Sequence, residues 1–479
     1  MDTYDLICIG CGPAGEKAAT QAAYFHKKVA IIERQAQPGG AMVNTGTLPS
    51  KSLRETALVC SALKRCPIPG LSLDLDHSLS VPRFMARRHL IEQQEHDRIE
   101  QSIDRHGIDV LSGTGRMIDP HTVEITNRVG EITLLKAEFI LIATGSSPVR
   151  PDHIPFNDTT IVDADSVLTL NQLPKTMVVV GGGVIGCEYA CIFAEIGVAI
   201  TLINPNPSIL PFVEEECRDH LVRAMKNQGV ELCLNDSVST VKENADNSVA
   251  VVLASGKTLE VDVLLWAAGR QSNTAGLGLE EVGVELANRG LVKVDTSGCT
   301  SVPSIYAAGD VIGFPALAAT SMEQGRIASC HMFGLDFKKA LTSTMPIGLY
   351  TIPAVSMVGI TTIEKAVEEG FDPIIGKTSY HSNARGRMLG DDEGLVKCLF
   401  DLGSRKIIGA TIIGEDATEL IHLAELAIQK NAVIQDFIDT CFNYPSLSEM
   451  YKYAAYNALQ NIAAKEGRTE ELAGRSRAA

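Results

Sequence analysis

Apolar residues in this chain come in short, dense runs that end at glycines. The run YDLICIG, beginning at Tyr4, reads as a strand. Past its glycines the pattern becomes that of a helix in PAGEKAATQAAYF, and VAIIER restores a second strand. Residues 177–203 repeat this order. They are apolar enough to suggest a membrane span, but Gly181, Gly182, Gly183 and Gly186, with Glu188 and Glu195, divide them into strand, turn and helix. Further strand-like runs close on FILIATG (139–145), LLWAAGR (264–270) and SIYAAGD (304–310). Toward the C-terminus, YTIPAVSMVGIT (350–361) and the helix-patterned GEDATELIHLAELAIQKN (414–431) predict a mixed α and β segment.

Both strand–helix–strand stretches carry G-x-G-x-x-G at the turn. In the first, Gly10 permits the tight turn, Gly12 lets the backbone approach a pyrophosphate, and Gly15 lets helix and strand pack closely. The helix N-terminus then offers N–H groups and a positive dipole end to phosphates. Gly181, Gly183 and Gly186 repeat the spacing. The second strand of the first copy ends at Glu33, placed to accept from ribose hydroxyls; the matching position of the second copy is Asn204. One such motif is weak evidence, whereas two in the same context are strong evidence for two dinucleotide sites. Asp310, behind SIYAAG, offers a carboxylate to the ribityl hydroxyls of a flavin, or serves as an ordinary turn former.

Composition narrows the classes. A chain of 479 residues, 45% hydrophobic and 21% charged, has material for several globular domains. Its formal charge of −16 argues against nucleic acid or anionic membrane as a partner, and leaves nucleotide phosphates to local backbone dipoles. A strand beginning at Tyr4 leaves no room for a signal peptide, and twelve cysteines without a framework suit a reducing cytosol. A cytoplasmic protein without a metal site is expected. Cys8 and Cys11 form a C-x-x-C, but inside a strand and its turn they read as small buried residues.

Taken in order, GCGPAG, GG…PSK, ATG, GGGVIGCE, AAGR and AAGD resemble the pyridine nucleotide–disulfide oxidoreductase family, which includes lipoamide dehydrogenase and glutathione reductase. The resemblance runs from about residue 4 to residue 460. It implies an α/β fold with two Rossmann-like dinucleotide-binding domains and a C-terminal α+β dimerisation domain. The FAD-binding domain takes residues 1–145, the NAD(P)-binding domain 146–275, the return to the FAD domain 276–343, and the dimerisation domain 344–465, with 466–479 a disordered tail. One tightly bound FAD per subunit, NAD(H) and NADP(H) as substrates, and a homodimer or larger homo-oligomer are implied. The resemblance carries FAD contacts to Pro13, Ala14, Arg34, Gly40, Ala41, Met42, Thr47 and Gly115, to Ala143, Thr144 and Gly145, and to Ala316, Leu317 and Ala318. NAD(P) contacts fall on Val184, Ile185 and Gly269.

The resemblance stops at the disulfide. In lipoamide dehydrogenase the motif runs G-G-x-C-x-N-x-G-C-x-P-S-K. Laid on Gly39-Gly40, Asn44, Gly46 and Pro49-Ser50-Lys51, both cysteines fall on Met42 and Thr47, and no Cys lies between residues 12 and 59. Thiol–disulfide exchange needs a thiolate. The family's catalytic His, which precedes a proline near the C-terminus, is replaced by Tyr444 before Pro445, with Glu449 kept and His422 the last histidine. A phenol is a poor base at neutral pH.

What the resemblance leaves is the flavin half-reaction. It places Lys51 beside the isoalloxazine, where a cation favours the reduced form, and pairs Glu188 with Lys51 at the nicotinamide pocket. Thr47 and the N-Y-P at 443–445 are similar to the soluble NAD(P) transhydrogenase branch, although that branch commonly keeps the first cysteine. The branch implies ping-pong hydride transfer between NADPH and NAD at one pocket. A diaphorase or quinone reductase, and a redox-idle nucleotide-binding flavoprotein, are the other readings. A neutral Asn204 excludes neither nucleotide, whereas a carboxylate there repels a 2′-phosphate. No arginine follows within Asn204-Pro205-Asn206-Pro207, so NADP is tolerated rather than preferred unless a cation such as Arg270 reaches in.

Overall fold

Strand-forming runs and glycine turns fall where the pattern puts them in a computed structural model that describes residues 2–65, 86–391 and 393–466. The tail expected beyond Glu466 lies outside the described residues. The chain divides into two compact units. The first holds the chain to Leu53, the stretch that ends at Asn171, and Ala268–Thr342; the second holds Gln172–Ala267 and the chain from Ser343 onward.

The sheet of the first unit is parallel at its centre. Asp109–Ser112, Val29–Glu33, Thr3–Ile9 and Ile132–Ile142 lie side by side, and Ile305–Ala307 pairs with Ile140–Ile142 on the far edge. Parallel strands buried on both faces need unbroken apolar runs, and Leu6, Ile7, Cys8, Ile31, Ile140 and Leu141 are all fully buried. The helix Pro13–Tyr24 makes the crossover between the first two strands. An antiparallel meander, Thr114–Asp119 and Thr122–Thr126, extends the sheet from the start of Ile132–Ile142.

The second unit repeats the plan. Glu231–Leu234, Ala199–Asn204, Thr176–Val180 and Val263–Trp266 are parallel neighbours, with the helix Val184–Glu195 as the crossover. The apolar stretch 177–203 is thus strand, helix and strand, and no described helix is long and apolar enough to cross a membrane. The same unit carries an antiparallel sheet in the order Ile347–Leu349, Val355–Gly359, Ile407–Ile413, Leu395–Asp401, Pro373–Ser379. Helices Ala417–Gln429 and Met450–Lys465 cover its apolar face, where Val396, Cys398, Ile412, Tyr451 and Ala454 are buried together.

The units are cut differently from the expected domains on both sides of the second nucleotide fold; the first unit runs on to Asn171, past the expected 145. LLWAAGRQSNT, assigned above to the second nucleotide fold, is divided: Val263–Trp266 stays in the second unit's sheet, while Arg270–Ser272 pairs antiparallel with Ser146–Pro148 in the first. The two-stranded ribbon returns the chain to the first unit at Ala268, ahead of the expected 276.

Candidate functional site

Each glycine turn is closed by the same pair of backbone constraints. Gly10 and Gly181 sit at φ of 109° and 115°, open to glycine and strained for other residues. A Cβ on Gly15 would lie 2.0 Å from the Gly10 carbonyl oxygen, and one on Gly186 would lie 1.9 Å from that of Gly181. Gly12 and Gly183 are the N-caps of Pro13–Tyr24 and Val184–Glu195, and neither helix start is capped by a side chain. The first-turn N–H groups of Pro13, Ala14 and Gly15, and of Val184, Ile185 and Gly186, surround these ends, less the N–H that proline lacks. Backbone dipoles are therefore presented to an anion without competition from the chain's own side chains.

The repeat extends to the strand ends. Glu33 Oε2 accepts from the N–H of Cys11, the residue between Gly10 and Gly12, at 2.7 Å. Asn204 Oδ1 accepts from the N–H of Gly182, between Gly181 and Gly183, at 3.1 Å. The two positions differ in what is left over. The second oxygen of Glu33 accepts from Gln35 N–H at 2.8 Å. The amide of Asn204 donates instead to the carbonyls of Asn206, at 3.2 Å, and Ser208, at 3.0 Å, with the residue 6% exposed. Both amide donors of Asn204 are thus used to hold the loop after the strand. Arg34 follows Glu33 and is exposed.

Near the end of the central strand the chain turns at Ala143-Thr144-Gly145. Thr144 Oγ1 is buried with no hydrogen-bond partner among the described residues, as a group waiting for a ligand would be. Ser146 Oγ donates to Asp310 Oδ2 at 2.7 Å, which joins this turn to the one after Ile305–Ala307. Leu317 is the N-cap of the helix Ala318–Met332 and has no side-chain cap, with Ala316 exposed just before it. Gly115 is buried in Thr114–Asp119, opposite Ile125. Arg270, considered above for a 2′-phosphate, is directed elsewhere: its Nε and Nη2 donate to Oγ and the carbonyl of Ser146 at 2.8 and 2.7 Å. Gly269 accepts from Val149 N–H in the same ribbon, within the first unit.

The segment that lacks the cysteines is short and well anchored. Gly39 N–H donates to the Cys11 carbonyl at 2.8 Å, and a Cβ on Gly40 would lie 2.8 Å from Gly12 Cα. The helix Gly40–Asn44 carries Ala41 and a half-buried Met42, which packs on the first unit's core; Thr47 opens the helix Thr47–Arg65. Lys51 Nζ donates to Ser50 Oγ at 3.3 Å. Glu188 is 4% exposed in the second unit, and its carboxylate accepts from Tyr350 N–H at 2.8 Å. Tyr444 is 75% exposed, and Glu449 accepts from the Tyr453 hydroxyl at 3.2 Å. Burial pushes the thiol of Cys11 up to about 12 and that of Cys8 higher still, so neither forms a thiolate near neutral pH.

A family profile described as pyridine nucleotide–disulphide oxidoreductase matches residues 4–325. The chain belongs to this family. The family's dimerisation domain matches residues 345–455. Curated relatives named soluble pyridine nucleotide transhydrogenase include one from Mycobacterium bovis strain BCG, 38% identical over 97% of this chain and 99% of the relative. Others from Marinomonas and Pseudomonas putida are 36% and 35% identical over 96% of this chain and 99% of each relative. Among solved structures, LpdA from Mycobacterium tuberculosis has a TM-score of 0.87 and 28% identity, covering 95% of this chain and 99% of that one. A copper(II) complex of the HOCl-induced flavoprotein disulfide reductase RclA from Escherichia coli has a TM-score of 0.85 and 28% identity, with the same coverage of both chains.

Membership in the oxidoreductase family gives context to residues that motif reading passed over. Asn44, within the GG…PSK stretch, is held from the helix Ala86–Arg105: the His96 ring donates to its Oδ1 at 2.8 Å, and Arg88 donates to its carbonyl at 3.3 Å. Arg88 is itself paired with Glu92 one turn on. No spacing rule links residue 44 to residues 88 and 96. The only signal in the sequence was two basic residues on one face of a polar helix.

Proposed function

We propose that this chain is an FAD-dependent transhydrogenase that passes hydride between NADPH and NAD by a ping-pong route, without a redox disulfide. The observation that carries the reading is Met42 and Thr47 standing where the family's disulfide would be, in a chain that keeps both phosphate cradles intact. The names of the curated relatives support it. The first cradle, the orphaned Thr144 hydroxyl and the Asp310 carboxylate fit FAD; the second cradle fits a nicotinamide dinucleotide.

When bound, a flavin supplies a two-electron carrier, the chemistry that connects one nicotinamide to another. The chain's residues bind and orient. Gly10, Gly12, Pro13, Ala14 and Gly15 present backbone to the FAD pyrophosphate, with Glu33 at the ribose. Lys51 supplies a fixed cation that favours the electron-rich state of the carrier. Glu188 serves the nicotinamide, and its Tyr350 contact fixes the carboxylate. The functional unit is a cytoplasmic homodimer in which Tyr444 reaches the partner's flavin. Its exposure in the single chain, and the matched dimerisation domain, support that role.

The test is anaerobic. Purified yellow protein is reduced with NADPH, and NAD is then added. Bleaching followed by return of the flavin absorbance, with NADH formed in equal amount, is the expected result. Reduction of lipoamide or of glutathione disulfide by the same preparation would overturn the disulfide-free reading.

A further inference from the structure

The segment that brings the chain back to the first unit is bonded to both turns assigned to the flavin. Asn273 donates its backbone N–H to the Gly145 carbonyl at 3.0 Å and its side-chain amide to the Thr144 carbonyl at 2.9 Å. Ser272 Oγ donates to the Val311 carbonyl at 3.2 Å, next to Asp310. Arg270 stands beside them, with its side chain 23% exposed. Its Nε meets Ser146 Oγ at 2.8 Å and its Nη2 meets the Ser146 carbonyl at 2.7 Å. A serine hydroxyl has one hydrogen to give, and here it goes to Asp310 Oδ2 at 2.7 Å. Arg270, lacking any acceptor, can only donate. The bonds therefore run in one direction, from Arg270 to Ser146 to Asp310.

We propose that Arg270 is a positioning residue for the flavin: through Ser146 it fixes the Asp310 carboxylate, so that one oxygen is occupied and the other is presented to the ribityl hydroxyls. The proposal rests on the reading of Asp310 as a flavin ligand. It also gives the guanidinium a task other than the 2′-phosphate of NADP. The fork matters as much as the charge, because two of its N–H groups reach one residue from different sides. Asp165 Oδ1 lies 4.0 Å from Nη1, beyond hydrogen-bond reach, and adds only an attraction between charges. The ribbon therefore ties the exit of the nicotinamide-binding segment to retention of the flavin, with no residue of the ribbon needing to touch it.

The experiment measures FAD release from the holoenzyme, read as the rise of free-flavin fluorescence in a mild chaotropic salt. Arg270→Met and Ser146→Ala should each speed release by about tenfold, the scale of a charge-assisted hydrogen bond, since each breaks the linkage to Asp310. In the double variant the release should be no faster than in the faster single one, because both remove the same linkage. Arg270→Lys keeps the charge but loses the fork, and should fall between; it also serves if Arg270→Met does not fold. Multiplied effects in the double variant, or wild-type release in both Arg270 variants, would overturn the linkage. So would a rise in KM for NADPH alone, with release unchanged. Asp310→Ala separates the two layers: if it releases FAD at the wild-type rate, the ligand role of Asp310 fails and takes the proposal with it. If it loses FAD while Arg270→Met does not, only the relay fails.

Discussion

Replacing Asn204 by Asp exchanges an amide nitrogen for an oxygen and abolishes two hydrogen bonds. The amide nitrogen now donates to the carbonyls of Asn206 and Ser208 at 3.2 and 3.0 Å, while Oδ1 accepts from Gly182. In Asn204→Asp one oxygen keeps the Gly182 bond and the other faces two carbonyl oxygens in a buried site. Losing two part-buried hydrogen bonds and setting a carboxylate against their acceptors costs about 1–2 kcal/mol each, so the loop is expected to lose roughly 2–4 kcal/mol. That corresponds to a fall in Tm on the order of 5–15 °C, read from flavin fluorescence during heating. Both nicotinamides should bind less well, because the loop is disturbed for both. NADPH should suffer more: a carboxylate and a 2′-phosphate brought close at an effective dielectric between about 20 and 80 repel by about 1–4 kcal/mol, or roughly a further tenfold or more in KM. Steady-state KM values for NADH and NADPH against a dye acceptor, beside the melting curve, supply the check. An unchanged Tm with a hundredfold loss for NADPH alone would refute the reasoning, since the carboxylate would then be turned to the ribose rather than to the loop.

Three further outcomes are expected. Burial opposes ionisation of Asp163, but the Arg150 guanidinium and the N–H groups of Ser166 and Asp165 hold its carboxyl below the usual range. A depressed carboxyl contributes stability above its unfolded value and loses it as pH falls through the folded one. The Tm gap between wild type and Asp163→Asn should therefore be full at pH 7 and shrink below about pH 4; a gap constant from pH 7 to pH 3.5 would contradict this. Lys397, 8% exposed between Glu214 Oε1 at 2.7 Å and Glu216 Oε2 at 2.8 Å, is lost in Lys397→Met, which leaves Glu214 without its cation while Glu216 keeps Lys377. The cost should be about 3 kcal/mol in thermal or urea unfolding, largely recovered in Glu214→Gln/Lys397→Met. Lys51→Met should lower the flavin midpoint potential by about 30 mV or more, the two-electron equivalent of about 1.4 kcal/mol, in a dye-equilibrated redox titration.

The phosphate cradles were legible because their requirements are local. A turn at positive φ and a close helix–strand approach each demand glycine within a few residues, and both copies show it. The equivalence of Glu33 and Asn204 was legible in position but not in role. Sequence places a residue at a strand end, while the carbonyls of Asn206 and Ser208 decide where its amide points. The attachment of Asn44 to Arg88 and His96 depends on packing between segments far apart in the chain, and no periodicity encodes it. The return at Ala268 was misplaced for the same reason. Apolar patterning marks Val263–Trp266 as a strand but says nothing of Arg270–Ser272 leaving it to pair with Ser146–Pro148. Arg270 consequently looked available from the sequence and is engaged in the structure.

The parallel pairing of Ile305–Ala307 with Ile140–Ile142 sets a waiting time during synthesis. Until the later strand leaves the ribosome, Ile140–Ile142 has a partner on one side only, in Ile7–Ile9. The whole stretch Gln172–Ala267 must be made in between. At about 5–20 residues per second, the open apolar edge persists for roughly ten to thirty seconds. During that interval the nascent chain exposes a ladder of unpaired backbone groups flanked by isoleucine and leucine, the kind of edge that recruits another strand. Newly made chains are thus most prone to aggregate before residue 307 emerges, and a holdase acting in that window should raise the yield of folded protein.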